Sequence, residues 1–288
     1  MELGQRHMPG HRWWQPDLLI AKQVLRRAIR QNISATASQL AYHFTFSFFP
    51  TLMILAYVLT TIEAPFLFAR LMLALQTLLP PSAITLVDQV LSEVRRGSGW
   101  HILLSGLLLS LTSAVSGLHV LICAINHAYG VDDDRPYWKR SLLALLMTLL
   151  LALLLCIALV LVIWGNWLGV HLMGWLGLKT WFATIWSLLR WPAILITVIG
   201  GLLVLYTAAP KLPVSVWRAL PGAVFGGGGW VVATWIFGWY IRNIASYNRV
   251  YGSIGGMIVL MVWLYVTGVI ILLGAELNGA LYRRRHGF

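Results

Sequence analysis

The chain has 288 residues, of which 59% are hydrophobic and only 10% are charged, and its mean hydropathy is +0.78. Because a soluble domain carries about 25% charged residues and a disordered chain is poor in hydrophobic ones, this composition excludes both classes. The formal net charge of +12 lies mainly beside apolar segments, which favours contact with anionic lipid headgroups over nucleic-acid binding.

Uncharged apolar segments predict six transmembrane helices, because about 20 apolar residues span a bilayer as a helix. Backbone groups in lipid must also be hydrogen-bonded internally, so the predicted fold class is all-α, a polytopic membrane helical bundle. The spans cover about 41–62, 103–126, 142–164, 191–209, 222–241 and 254–276. They form a transmembrane domain of 35–282 between a basic N-terminal segment, 1–34, and a basic tail, 283–288.

Lys and Arg are divided unequally between the two sides of this bundle. The N-terminal segment, the second and fourth loops and the tail carry 14 of them, against seven in the other connections. Cytoplasmic connections carry the excess of Lys and Arg. Both termini are therefore predicted to be cytoplasmic.

The N-terminal third contains a predicted basic helix, the first span and a segment that can cover the periplasmic end of the bundle. Residues 22–30 have the pattern of a basic amphipathic helix, and residues 34–38 can begin the long helix that contains the first span. Between the first and second spans, 63–101 predicts two amphipathic helices on the periplasmic side. A structural lid is favoured there over a direct role in substrate binding.

Small residues in the fifth and sixth spans predict close helix packing. The glycines concerned are Gly222, Gly226, Gly229 and Gly274. Such faces permit a homo-oligomer without requiring one.

Polar residues within apolar helices form the candidate functional site, because each is costly in lipid and needs a reason. In the second span, polar residues recur at spacings of three and four, which places them on one helix face. The candidates for a substrate or transport pathway are Tyr42, His43, Ser47, Pro50, Ser116, His119, Asn126 and Glu276. In the predicted topology, Tyr42, His43, Asn126 and Glu276 lie near the cytoplasmic surface.

Two interpretations of this polar layer stay open. It can be a site or gate at which Glu276 binds a proton or a cationic group. It can instead be interhelical hydrogen bonding, with Glu276 paired to a cytoplasmic cation, Lys211 or Arg218.

Chemical motifs are scarce in the chain. The eight histidines form no His-Glu-x-x-His or His-x-His pattern, and the two cysteines, Cys123 and Cys156, fall in separate spans. The acidic run 132–134 is interpreted as a solvated charge run. Metal-dependent hydrolysis needs several converging ligands, so we expect no metal, no cofactor, no catalytic residue and no enzymatic activity.

Short motifs spread over about 35–280 resemble the YihY/BrkB family of bacterial inner-membrane proteins. The matching stretches are Leu40-Ala41-Tyr42, Ser47-Phe48-Phe49-Pro50, Ala124-Ile125-Asn126-His127-Ala128-Tyr129, Arg135-Pro136-Tyr137-Trp138-Lys139, Pro210, Trp217-Arg218-Ala219-Leu220-Pro221-Gly222-Ala223, Tyr247, Tyr251-Gly252 and Leu272-Leu273-Gly274-Ala275-Glu276-Leu277. The four-glycine run 226–229 departs from the family pattern but falls in a span already rich in small residues.

The resemblance implies a multi-pass protein of the bacterial inner membrane, in a family linked to export of envelope lipid and labelled a virulence factor. The family has also carried the name ribonuclease BN. Metal-dependent RNA cleavage needs a cluster of metal-ligating residues, which this sequence lacks, so the sequence contradicts that name. The function expected is a transporter or exporter of a lipid-linked or small envelope solute, with a lipid or glycolipid as a candidate substrate. The alternative is a non-transporting scaffold or envelope-assembly factor.

Overall fold

The computed structural model describes residues 18–61, 100–176, 181–243 and 253–286. Within these ranges the chain forms seven α-helices and no strand, which confirms the predicted all-α class for this part of the chain. The helices are α1 (Leu18–Arg30), α2 (Ile33–Thr61), α3 (Trp100–Tyr129), α4 (Tyr137–Leu176), α5 (Trp181–Ala208), α6 (Val216–Asn243) and α7 (Ser253–His286).

Four of the described helices are long and apolar enough to cross a membrane. Their apolar portions are Leu104–Tyr129, Tyr137–Ile157, Val216–Ile241 and Gly255–Arg284, which match the second, third, fifth and sixth predicted spans. The fourth predicted span falls on a shorter apolar segment, Pro192–Ala208, and the first falls on α2. The total of six spans stays a prediction. The amphipathic helices expected within 63–101 fall almost entirely outside the described residues.

Several helices are longer than the hydropathy pattern predicts. α4 continues to Leu176 and α5 begins at Trp181, so most of the predicted loop 165–190 is helical. α7 continues to His286, which makes the start of the predicted tail helical as well. Hydropathy marks the part of a helix that can lie in lipid, whereas backbone hydrogen bonding extends beyond that part into the interface.

Two tight turns set the directions of the chain at one end of the bundle. Between α1 and α2, Asn32 has a φ of 50°, a left-handed conformation that Asn tolerates better than most residues. After α3, Gly130 has a φ of 74°. Its N–H donates to the carbonyl of His127 and the N–H of Val131 donates to that of Asn126, both at 3.0 Å, as in a glycine-terminated helix.

α7 is the helix around which the described bundle is organised, since it packs against α1, α2, α3 and α6. The hydroxyl of Tyr206 on α5 also donates to the carbonyl of Ile271 at 2.6 Å. α6 and α7 pack tightly at Gly222 and Gly274, since a Cβ on Gly222 would collide with the Gly274 carbonyl oxygen. This contact needs glycine for its backbone separation.

The other two predicted packing glycines lie against different helices. A Cβ on Gly226 would be 2.9 Å from Cδ1 of Leu202 on α5, and one on Gly229 would be 3.3 Å from Cγ2 of Ile270 on α7. All four glycines thus contact neighbouring helices of the same chain.

Candidate functional site

Polar and apolar side chains together line an open cavity of about 660 Å³ at the end of the bundle where α3 ends and α4 begins. The α1–α2 turn, α2, α3, the first turn of α4 and α7 all contribute to its wall. The lining residues are Arg30, Gln31, Ile33, Thr36, Gln39, His119, Val120, Cys123, Ala124, His127, Ala128, Arg140, Leu272 and Glu276. Its volume is in the range of small-molecule sites, about 300–1,000 Å³.

Glu276 is the acidic residue in this lining, and it is 1% exposed. Neither carboxylate oxygen has a hydrogen-bond partner among the described residues. Nη2 of Arg283, two turns later in α7, lies 3.9 Å from Oε2, which is an ion-pair distance rather than a hydrogen bond. Arg283 is itself held by a hydrogen bond from Nη1 to the carbonyl of Ala128. The carboxylate can therefore accept a proton, a cation or a donor from a ligand.

Arg140 reaches the cavity from the first turn of α4 and is positioned by Asp133. Its Nη2 donates to the Asp133 carbonyl at 2.7 Å, and its Nε lies 3.3 Å from Oδ2 of the same residue. Arg135 shares this carboxylate, with its Nε 2.7 Å from Oδ1. One buried carboxylate thus orients two guanidinium groups.

The predicted interpretation of 132–134 as a solvated charge run is wrong for Asp133, whose side chain is 5% exposed. Partial burial raises the pKa of Asp133, but hydrogen bonds from Arg135 and the charges of Arg135 and Arg140 more than offset this, so the pKa is lowered. A hydrogen bond from Lys211 lowers the pKa of Asp134. Asp133 and Asp134 are therefore held by ion pairs, Asp133 with the nearby Arg135 and Arg140 and Asp134 with the distant Lys211.

Two histidines on α3 face the same cavity. His127 donates from Nδ1 to the carbonyl of Cys123 at 2.9 Å, which leaves Nε2 available. The ring of His119 stacks on Tyr137, with centroids 5.6 Å apart. Gln31, in the α1–α2 turn, donates to the carbonyl of His127 at 3.3 Å and so connects the turn to α3.

Asn126, a predicted site residue, lies outside the cavity lining and joins α3 to the segment 209–211 by hydrogen bonds. It is fully buried, its Nδ2 donates to the carbonyls of Ile122 and Ala209, and its Oδ1 accepts from the backbone N–H of Lys211 at 2.8 Å. The Lys211 ammonium contacts Asp134, so it is not the partner of Glu276. The exposed Arg218 is not that partner either.

Tyr42, His43, Ser47, Pro50 and Ser116 also lie outside the cavity lining. Tyr42 is 51% exposed, and its ring contacts those of His43 and Phe46. The remaining contacts join α2 to α3 or stay within α3. Between α2 and α3, the Ser47 hydroxyl donates to the Ser110 carbonyl at 3.1 Å, and the Ser113 hydroxyl donates to the His43 carbonyl at 2.9 Å. The Pro50 carbonyl oxygen faces Gly106 on α3, where an added Cβ would lie 3.8 Å away. Within α3, the Ser116 hydroxyl donates to the Thr112 carbonyl at 2.8 Å.

The structure therefore brings two predicted residues, His119 and Glu276, into one cavity together with residues that the sequence did not single out. Arg30, Arg140 and Arg283 resemble ordinary topology determinants in the sequence, since basic residues are common at the ends of spans. Their clustering depends on which helix ends meet. The available signal was their position beside the same membrane surface as Glu276.

Among the residues that the structure describes, no three His, Cys, Asp or Glu side chains are grouped so that they could hold a metal ion. The cavity instead combines guanidinium groups, amides and imidazoles with a single carboxylate. Such a set of side chains recognises a ligand by charge and hydrogen bonding.

Comparison with known proteins places the chain among membrane proteins. The sequence profile of a family described as "Virulence factor BrkB" matches residues 24–287. YfkH of Bacillus subtilis, whose name calls it ribonuclease-like, is 31% identical over 268 residues, which cover 92% of this chain and 95% of that protein.

Further relatives are named UPF0761 membrane proteins. One from Aromatoleum aromaticum is 30% identical over 92% of this chain and 65% of its own length. One from Tolumonas auensis is 39% identical over 83 residues, 29% of this chain and 28% of its own. No solved structure matches the chain.

Proposed function

The chain belongs to the BrkB family of membrane proteins, and from this premise we propose that it is a transporter or exporter. Its solute is a lipid-linked or small envelope molecule, which crosses the bacterial inner membrane. The excess of Lys and Arg supports cytoplasmic termini. In that orientation the cavity beside α1 and Glu276 faces the cytoplasm and is loaded from there.

The observation that carries this proposal is the buried Glu276 carboxylate at the cavity wall, without a hydrogen-bond partner among the described residues. An unsatisfied buried charge costs several kcal/mol, so such groups in native proteins have a role that compensates the cost. Ionisable groups in membrane helices commonly belong to substrate or ion pathways. Exchange of a proton or a ligand at Glu276 is the step that the geometry supports.

The N-terminal helix supports membrane-surface contacts beside this site. Leu25 and Ile29 are 61% and 73% exposed, and Lys22 adds charge to the same helix. A basic amphipathic helix of this kind lies at the interface, with its cations near anionic headgroups.

Transport is tested in proteoliposomes by following fluorescent phosphatidylglycerol and phosphatidylethanolamine across the bilayer, with dithionite quenching as the readout. We expect protein-dependent movement that Glu276→Gln abolishes while its folded yield is unchanged. Asp132→Asn is the matched control, because it removes the charge of an exposed carboxylate outside the cavity lining. Full movement in Glu276→Gln would refute the site assignment.

The alternative function is a non-transporting scaffold or envelope-assembly factor. The satisfied interhelical hydrogen bonds of Asn126, Tyr206 and Asn278 favour it, because they make this end of the bundle rigid. In that case no protein-dependent lipid movement occurs, and Glu276→Gln lowers thermal stability in detergent because Arg283 loses its partner. Nuclease activity forms no part of either proposal, and purified protein should leave RNA intact in the presence of Mg²⁺ or Mn²⁺.

A further inference from the structure

The cavity wall carries an excess of positive charge once each described ion pair is taken into account. Glu276 is matched by Arg283, and the Asp133 carboxylate is shared by Arg135 and Arg140. Arg30 lines the cavity at the end of α1 and has no acidic partner among the described residues. The two guanidinium groups that face the cavity are therefore not neutralised by its single carboxylate.

The guanidinium groups of Arg30 and Arg140 come from different helices, α1 and α4, and are held differently. Arg140 is oriented by Asp133 before any ligand arrives, whereas Arg30 is an exposed side chain at a helix end. A guanidinium fork matches the oxygens of phosphate and carboxylate groups. A tetrahedral phosphate has enough acceptor oxygens to bond donors on several sides at once.

We infer that this cavity binds a phosphate-bearing ligand, with the phosphate held between Arg30 and Arg140. The inference deepens the proposed function and rests on it, since it names the chemical class of the solute. Glu276 does not cancel the attraction, because Arg283 lies 3.9 Å from its carboxylate. The volume of about 660 Å³ leaves room for a polar headgroup in addition to the phosphate.

The phosphate can belong to a lipid headgroup or to a soluble phosphate ester. An apolar groove of about 380 Å³ shares Ile33 with the cavity and is lined by Leu25, Ile29, Val269 and Leu273. An acyl chain attached to a headgroup in the cavity can lie in this groove. The geometry therefore predicts tighter binding of a phospholipid than of the corresponding free headgroup.

The test measures binding of three probes to the full chain in mild detergent, by native mass spectrometry with titration. The probes are dioleoyl phosphatidylglycerol, dioleoylglycerol, which has the same chains without phosphate, and glycerol 3-phosphate. The variants are Arg30→Gln and its matched control Arg26→Gln, one turn earlier on the same helix and outside the cavity lining. Both positions are exposed, so neither variant should impair folding.

We expect Arg30→Gln to weaken phosphatidylglycerol binding about tenfold, as loss of one charge-assisted hydrogen bond predicts, and Arg26→Gln to change it less than about twofold. Sensitivity to Arg30 with phosphatidylglycerol alone assigns a lipid source. The same sensitivity with glycerol 3-phosphate assigns a soluble one. Equal binding of dioleoylglycerol, equal effects of the two variants, or no binding of any probe would overturn the inference.

These outcomes are separate from those of the transport test. If Glu276→Gln abolishes transport but no phosphate probe binds, the transport proposal stands with a different class of solute. If phosphate binds with the expected sensitivity but no transport occurs, the site stands and the transport proposal fails.

Discussion

Two faces of α7 at the same level of the bundle differ in whether their buried polar side chain is hydrogen-bonded. Asn278 and Glu276 are each 1% exposed. Asn278 is satisfied by α6, since its Oδ1 accepts from the N–H of Gly222 at 2.8 Å and its Nδ2 donates to the Ala219 carbonyl at 2.9 Å. Glu276 has no hydrogen bond among the described residues. Equal burial therefore accompanies a structural role on one face and a candidate binding role on the other.

The geometry of the helix explains how neighbouring residues come to differ so strongly. At about 100° per residue, two positions are separated by about 200° around the helix axis. Asn278 consequently meets the close-packed α6, whereas Glu276 meets the cavity between the α1–α2 turn and α3. Hydrogen-bond satisfaction, rather than burial, distinguishes Asn278, which joins two helices, from Glu276, a candidate binding residue.

The largest loss of stability is expected when a side chain is added where α6 and α7 pack tightly together. Gly222→Ala should destabilise the protein by about 3 kcal/mol, because the new methyl group would collide with the Gly274 backbone and with the buried Asn278 amide. The measurement is the midpoint of thermal unfolding in mild detergent. Gly228→Ala is the matched control, since a Cβ there has no heavy atom within 4 Å. An equal loss in both variants would refute this account.

A smaller loss of stability should distinguish the polar residues on the two faces of α7. Asn278→Ala removes two buried hydrogen bonds between α7 and the backbone of α6, which should cost about 2 kcal/mol of stability. Under the transport proposal, Glu276→Gln should cost less stability than Asn278→Ala, because removing a buried charge that makes no hydrogen bond relieves its desolvation cost and offsets the loss of the long ion pair with Arg283. Thermal unfolding of both variants under the same conditions gives the comparison. A larger loss for Glu276→Gln would favour the scaffold alternative.

The smallest effect concerns pH and the residue that orients Arg140. Because the pKa of Asp133 is lowered in the folded state, its contribution to stability is present at neutral pH and is lost as the pH falls through the folded-state pKa. Below about pH 4, the wild type should therefore lose more stability than Asp133→Asn does. The readout is the thermal midpoint between pH 7 and pH 3, with the exposed Asp132→Asn as control. An identical acid response in all three proteins would contradict the role of Asp133.

The sequence predicted the candidate site only in part, and the residues show why. His119 and Glu276 were found because polar groups are conspicuous in apolar helices, but Asn126 has the same appearance and proves to be a clamp between α3 and the 209–211 segment. Arg30 and Arg140 were not singled out, since each lies at the end of its own helix, where a basic residue needs no special explanation. Asp133 looked solvated because a linear charge pattern shows the neighbouring Arg135 but not the burial of the carboxylate or its second partner, Arg140.

The all-α class and the membrane location followed from composition alone, because apolar length and the absence of charge dictate what lipid accepts. The hydropathy pattern also placed the central parts of four membrane helices correctly, though it missed how far α4, α5 and α7 extend. Only the tertiary structure decided which polar groups are satisfied and which face a cavity. That choice depends on contacts between helices far apart in the chain, such as Gly222 with Asn278, and no local periodicity contains them.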